Sequence, residues 1–161
     1  NIKPDIMCCA KGIGGGIPIA AILTTTKIAQ CMQLGTHGTT FGGNPLACAV
    51  AEKVMTLLTK KTLLNGVKKK EKIFLKELNS INDSYKCFSA IRSSGLWIGC
   101  KLNVTENFNL DTVMKACYEK GLMILKANDN TIRLAPSLII EDDLILKGLK
   151  ILRAVIQEQH P

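Results

Sequence analysis

Ile6-Met7-Cys8-Cys9-Ala10-Lys11-Gly12-Ile13-Gly14-Gly15-Gly16-Ile17-Pro18-Ile19-Ala20-Ala21 is the stretch on which the fold reading turns. Ile6 to Ala10 is a short apolar run that fits a buried parallel strand. Lys11 ends the run, a glycine-rich turn follows, and Ile19 to Thr24 is strand-like again. A buried ammonium is costly, so a lysine between a buried strand and a glycine turn tends to have a lowered pKa or to be consumed in a covalent bond to a carbonyl. The glycines let backbone approach a flat ligand without a Cβ in the way. Alone, the pair also reads as a surface lysine and an ordinary turn.

Thr26 to Gln33 reads as a short helix. Gly35-Thr36-His37-Gly38-Thr39-Thr40-Phe41-Gly42-Gly43-Asn44-Pro45 is a loop dense in glycine and hydroxyls, ahead of a helix through Leu46, Val50, Val54 and Leu58. Asn44 fits the N-cap and Pro45 the first turn. Such a loop before a helix N-terminus suits a phosphate or carboxylate, and it also reads as a plain capped turn. His37 and Asn44 are expected to shape the loop. A break near Asn65-Gly66 is expected to start a second helix, running to about Leu78.

After Asp83 the texture changes. Phe88 to Leu102 predicts two strands and a turn, and Leu110 to Lys120 a helix with Gly121 at C′. Leu122–Leu125 and Thr131–Leu134 predict strands joined by Asn128-Asp129-Asn130, and Glu141 to Gln157 an amphipathic helix. The second half is therefore expected to be α+β, with antiparallel strands and helices on one face.

Composition narrows the function classes. The net charge is +8, and the densest cluster, Lys68-Lys69-Lys70-Glu71-Lys72, lies in a helical pattern. With aromatics at 4%, no stacking platform accompanies it, so a solvated surface is favoured over a nucleic-acid site. Seven cysteines, an odd number without Cys-x-x-Cys, read as reduced buried thiols in a cytosolic protein. With only His37 and His160 as imidazoles, no metal site is expected. No signal peptide is visible, and no apolar run approaches the roughly 20 residues of a membrane span. The chain opens on Asn1 within a structured segment, which reads as a fragment of a longer protein.

Taken together, the motifs resemble class III aminotransferases. K-P-D-I-M-x-x-A-K-G-I-G-G-G-I-P-I-A-A from Lys3 resembles their cofactor-lysine region, and G-T-H-G-T-T-F-G-G-N-P is similar to the acetylornithine branch. The likeness continues in Leu63-Leu64-Asn65-Gly66-Val67, in Ile91-Arg92-Ser93-Ser94-Gly95-Leu96-Trp97-Ile98-Gly99 and in Ile132-Arg133-Leu134-Ala135-Pro136-Ser137-Leu138.

The resemblance implies an α/β fold, fold type I of the transferases that use pyridoxal 5′-phosphate. Residues 1–62 would be the C-terminal end of the large cofactor-binding domain, and residues 63–161 the small α+β domain. It implies Lys11 as the catalytic residue that carries the cofactor covalently and moves a proton. Thr40 would contact the cofactor phosphate from a partner subunit, which makes a homodimer with shared active sites. Thr39 would contact the acylated substrate, and Arg133 the carboxylate of 2-oxoglutarate or glutamate. Trp97 is expected in a core or at a domain contact.

The implied reaction moves the side-chain amine of N2-acetyl-L-ornithine to 2-oxoglutarate, giving N-acetyl-L-glutamate 5-semialdehyde and glutamate, in the cytoplasm and in arginine synthesis. N-succinyl-L,L-2,6-diaminopimelate, in lysine synthesis, is a second implied substrate. Alternatives are another class III enzyme (succinylornithine, ornithine or 4-aminobutyrate transaminase, or a mutase) or a non-enzymatic phosphate-binding module. Ser93 departs from the family's usual glycine, at an expected loss of backbone freedom. The family's pyridinium-binding aspartate, stacking aromatic, second phosphate turn and arginine for the acyl substrate fall upstream of Asn1, so residues 1–161 alone are expected to be inactive.

Overall fold

The computed structural model describes residues 2–159 and divides into two units, Asn1–Lys60 and Lys61–Pro161. His160 lies outside the described residues.

In the first unit, β1 (Ile6–Cys9) pairs with β2 (Ala21–Thr24), from Ile6 opposite Thr24 to Cys9 opposite Ala21. The pairing is antiparallel, which corrects the parallel expectation. Residues 10–20 turn back without the crossover helix that a parallel return needs. The strands are not buried either: Ile6, Met7, Ile22 and Leu23 are exposed. One turn of helix, α1 (Thr26–Ala29), stands where eight residues were expected. Thr25 gives no side-chain cap and α1 buries nothing, so nothing offsets the entropy of extending it. The loop then leads into α2 (Pro45–Leu58), whose buried face is Ala47 and Ala51.

The second unit starts with α3 (Lys61–Tyr85), a continuous helix. The expected break at Asn65-Gly66 is absent, and the chain is interrupted instead at Thr59-Lys60. A helical glycine costs about 1 kcal/mol. Buried Phe74, Leu78 and Ile81 each contribute roughly 1.5–3 kcal/mol, so burial outweighs Gly66.

Strands β3 (Phe88–Ser94), β4 (Trp97–Leu102), β5 (Leu125–Ala127) and β6 (Thr131–Leu134) form an antiparallel sheet of order β3-β4-β6-β5. Between β4 and β5 runs α4 (Leu110–Glu119), held at its start by Asn109 Oδ1, which accepts from the Asp111 and Thr112 amides at 3.1 Å. At its end Gly121, at φ +81°, closes a Schellman turn in which Leu122 N–H donates to Cys117 O at 2.8 Å. That turn consumes Leu122, which is why β5 begins later than expected. Asp129 and Asn130, both in the left-handed region, make the β5–β6 turn.

The last helix, α5 (Asp142–Gln159), packs against α3 and α4. Ile98, Cys100, Leu102 and Ile132 point into one core with Leu78, Ile81, Val113, Leu149, Leu152 and Ile156. Alternation sends Trp97, Gly99 and Lys101 to the other face of the sheet. The cysteine expectation holds for Cys87, Cys100 and Cys117, which are buried, and fails for Cys8, Cys31 and Cys48, which are exposed. The latter three sit on apolar segments that this chain leaves uncovered.

Candidate active site

Lys11 opens a 3₁₀ turn, Lys11–Gly14, that follows directly on the extended Ala10. Its φ is +53°, an uncommon backbone conformation for a residue with a Cβ, costing roughly 1–2 kcal/mol. Strain of this kind clusters at functional sites. Ile17 N–H donates to Gly14 O at 2.9 Å and Gly15 N–H to Gly12 O at 3.2 Å, which closes the glycine run on itself. Gly15, at φ +56°, lies against α2: a Cβ there would meet Val54 Cγ2 at 2.9 Å.

The Lys11 side chain is exposed, contrary to the buried ammonium expected, and has no hydrogen bond or ion pair among the described residues. It lines an open cleft of about 620 Å³ with Gly12, Gly15, Gly16, Ile17 and Pro18. Small-molecule sites span roughly 300–1,000 Å³. Beside Gly12 and Gly16 no atom lies within 4 Å of where a Cβ would be, so both leave open space along the cleft.

The hydroxyl-rich loop is held by its own side chains. Asn44 caps α2, its Oδ1 accepting from Ala47 N–H at 2.9 Å, while its Nδ2 donates to Phe41 O at 2.7 Å. Thr39 Oγ1 accepts from Gly42 N–H at 3.1 Å. A Cβ on Gly42 would sit 2.1 Å from Thr39 Cγ2, so a side chain there would displace Thr39. Thr40 is exposed, and its hydroxyl has no hydrogen bond among the described residues. Neither Thr39 nor Thr40 lines the Lys11 cleft.

Arg133 belongs to the second unit, on β6, with Gly99 opposite it on one side and Leu125 on the other. It is half-buried, and its Nε is buried without a hydrogen-bond partner among the described residues. The guanidinium lies over the Trp97 ring, 5.5 Å from the centroid. Trp97 is 64% exposed on the helix-free face of the sheet, which removes the core alternative and leaves that of a domain contact. Sequence alone could not pair it with Arg133, because their adjacency comes from the β4–β6 register.

Ser93 also departs from expectation. It lies in regular strand opposite Ile98, and its hydroxyl donates to Glu71 Oε1 at 2.6 Å, where Gly95 N–H also donates at 3.1 Å. The side chain therefore ties β3 to α3 with no backbone penalty.

Burial holds the Cys87 thiol up at about 11, Cys117 at about 11 and Cys100 at about 12, from an ordinary 9.0. All three stay protonated at neutral pH and are poor nucleophiles and ligands. Among the described residues no group of three or more His, Cys, Asp or Glu could hold a metal, and no helix is long and apolar enough to cross a membrane.

The family model for class-III aminotransferases matches residues 1–156. The chain is 48% identical to the acetylornithine/succinyldiaminopimelate aminotransferase of Buchnera aphidicola subsp. Acyrthosiphon pisum, over 92% of this chain and 36% of the relative. It is 46% identical to the succinylornithine transaminase of Yersinia pseudotuberculosis, over 98% of this chain and 38% of the relative. The chain thus spans little more than a third of these relatives' length.

Among solved structures, the acetylornithine aminotransferase of Elizabethkingia anophelis superimposes with a TM-score of 0.85 at 32% identity, over 98% of this chain and 40% of that one. An ornithine aminotransferase of Toxoplasma gondii, with PLP at its active site, gives 0.87 at 26% identity, over 98% of this chain and 37% of that one.

Proposed function

The chain belongs to the class III aminotransferase family, and from that premise we propose that the whole protein transfers the side-chain amine of N2-acetyl-L-ornithine to 2-oxoglutarate. The products are N-acetyl-L-glutamate 5-semialdehyde and glutamate. One observation carries the reading. A lysine with an unpaired amine heads a glycine turn on an open cleft, in a chain 48% identical to an acetylornithine/succinyldiaminopimelate aminotransferase.

The residues fit pyridoxal 5′-phosphate. Lys11 offers an amine free of other partners, and Gly12 and Gly16 leave room for a flat ring beside it. When bound, the cofactor supplies an electron sink for the carbon that loses its proton. Lys11 Nζ would hold the cofactor covalently, and the same amine, when free, would serve as the general base for the proton on the substrate carbon. The exposed Thr40 hydroxyl would donate to the cofactor phosphate held by a second copy of the protein, as the family resemblance implies. Thr39, rigidly set by its bond to Gly42, contacts the acylated substrate. Arg133 forks its in-plane N–H groups onto the carboxylate of 2-oxoglutarate or glutamate. We further propose, on the family resemblance, that the whole protein acts on small molecules as a cytoplasmic homodimer.

A substrate panel on the full-length protein tests the reading, with glutamate as the readout. N-acetylornithine is expected to give the highest kcat/KM, with succinyldiaminopimelate also turned over. Preference for unacylated ornithine or for 4-aminobutyrate would contradict it. A second reading, succinylornithine as the preferred donor, is favoured by the 46% identity to a succinylornithine transaminase and is resolved by the same panel.

A further inference from the structure

We propose that Trp97 is a positioning residue for the carboxylate-binding guanidinium of Arg133, an inference that rests on the role given to Arg133 above. Three features of the sheet carry it. Gly99 faces Arg133 across the β4–β6 ladder, and Trp97 stands two residues before Gly99 on the same face. Arg133 and Trp97 are therefore diagonal neighbours on that face, and the guanidinium lies 5.5 Å from the ring centroid. That separation is within the roughly 6 Å over which a ring quadrupole holds a cation.

The Arg133 side chain has no hydrogen bond or ion pair among the described residues, and its buried Nε is unpartnered. Among them, the indole is therefore the one specific contact that orients the guanidinium. Stacking uses the π-face of the guanidinium and leaves its edge donors free for a carboxylate fork. The neighbouring cation Lys101 is neutralised by Asp129. Arg92, opposite Gly99 on β3, adds positive charge about two strand spacings, roughly 10 Å, away.

The test uses the full-length holoenzyme with Trp97→Leu, Trp97→Phe and Arg133→Gln, the two half-reactions being followed separately. Trp97→Leu is expected to raise KM for 2-oxoglutarate about two- to fivefold, the range of a single exposed cation–π contact, with the effect on KM larger than that on kcat. Trp97→Phe, which keeps an aromatic face, falls between the native protein and Trp97→Leu. The calorimetric Kd of glutarate, an unreactive dicarboxylate, follows the same order. An unchanged KM and Kd in Trp97→Leu, or an equal loss in the amino-donor half-reaction, overturns the inference. If Arg133→Gln raises KM while Trp97→Leu does not, this inference alone fails. If Arg133→Gln also leaves KM unchanged, the carboxylate role of Arg133 fails and the inference with it.

Discussion

The two units of this chain divide chemistry and packing unevenly. Among the described residues, the second unit holds a continuous buried core from Phe74 to Ile156, whereas the first buries only Ala47 and Ala51 of its apolar residues. Yet the strained lysine, the glycine turn and the hydroxyl-rich loop all belong to the first. A binding surface must leave groups unsatisfied and accessible, and a core must not. Lys11 and Thr40 are exposed and unpaired, while Ile132, Leu152 and Val155 are fully sealed. Within this chain the second unit carries its own core, and the first carries the groups to which the proposed function assigns chemistry.

That contrast is open to attack from either side. The largest expected effect is on chemistry: Lys11→Ala in the full-length protein should lower kcat by at least the roughly 10²–10⁴-fold that a positioned acid–base group supplies. Because the Lys11 side chain has no partner among the described residues, the thermal midpoint of the cofactor-free protein should hardly move, a surface change being within about 0.5 kcal/mol. A large loss of stability with activity retained would break the comparison at once. The mirror experiment is Ile132→Ala, which should cost about 2–5 kcal/mol in denaturant unfolding, since the side chain is wholly buried in the sheet–helix core.

A smaller effect is expected where the first unit does carry structure. Asn44→Ala removes the cap of α2 and should cost about 1 kcal/mol, together with weaker cofactor phosphate retention, read by equilibrium dialysis.

Near neutral pH the smallest effect is that of pH on the second unit, and it grows only above pH 9. Folding raises the thiols of Cys87 and Cys117 from 9.0 to about 11 and that of Cys100 to about 12, through desolvation by burial. Below pH 9 these thiols are protonated in folded and unfolded chains alike, so they leave stability flat. As pH rises from 9 towards 11–12 the unfolded chain ionises first, and stability should fall. Chemical denaturation at stepped pH, with maleimide labelling of Cys87, Cys100 and Cys117 only on unfolding, would show it.

Legibility followed the same division. The capped α2, the β3–β4 hairpin, α4 with its terminal glycine and α5 were readable because periodicity and cap residues agree with the core they serve. The parallel setting expected of Ile6 to Ala10 does not hold for its pairing with β2, since an apolar run does not say whether its neighbour runs parallel. Gly66 misled because a local propensity of about 1 kcal/mol is overruled by a buried stripe downstream. Lys11 and Arg133 stood out by resemblance, but the exposure of Lys11 and the Trp97 stack did not. The first depends on what covers a surface, and the second on strand register, and neither is written in spacing along one segment.

Borohydride reduction of the full-length protein, followed by peptide mass mapping, tests the role of Lys11 most directly. The expected result is a pyridoxyl mass on the peptide carrying Lys11, lost in Lys11→Ala. The same mass on a different lysine, or on none, would contradict the assignment of this turn as the cofactor anchor.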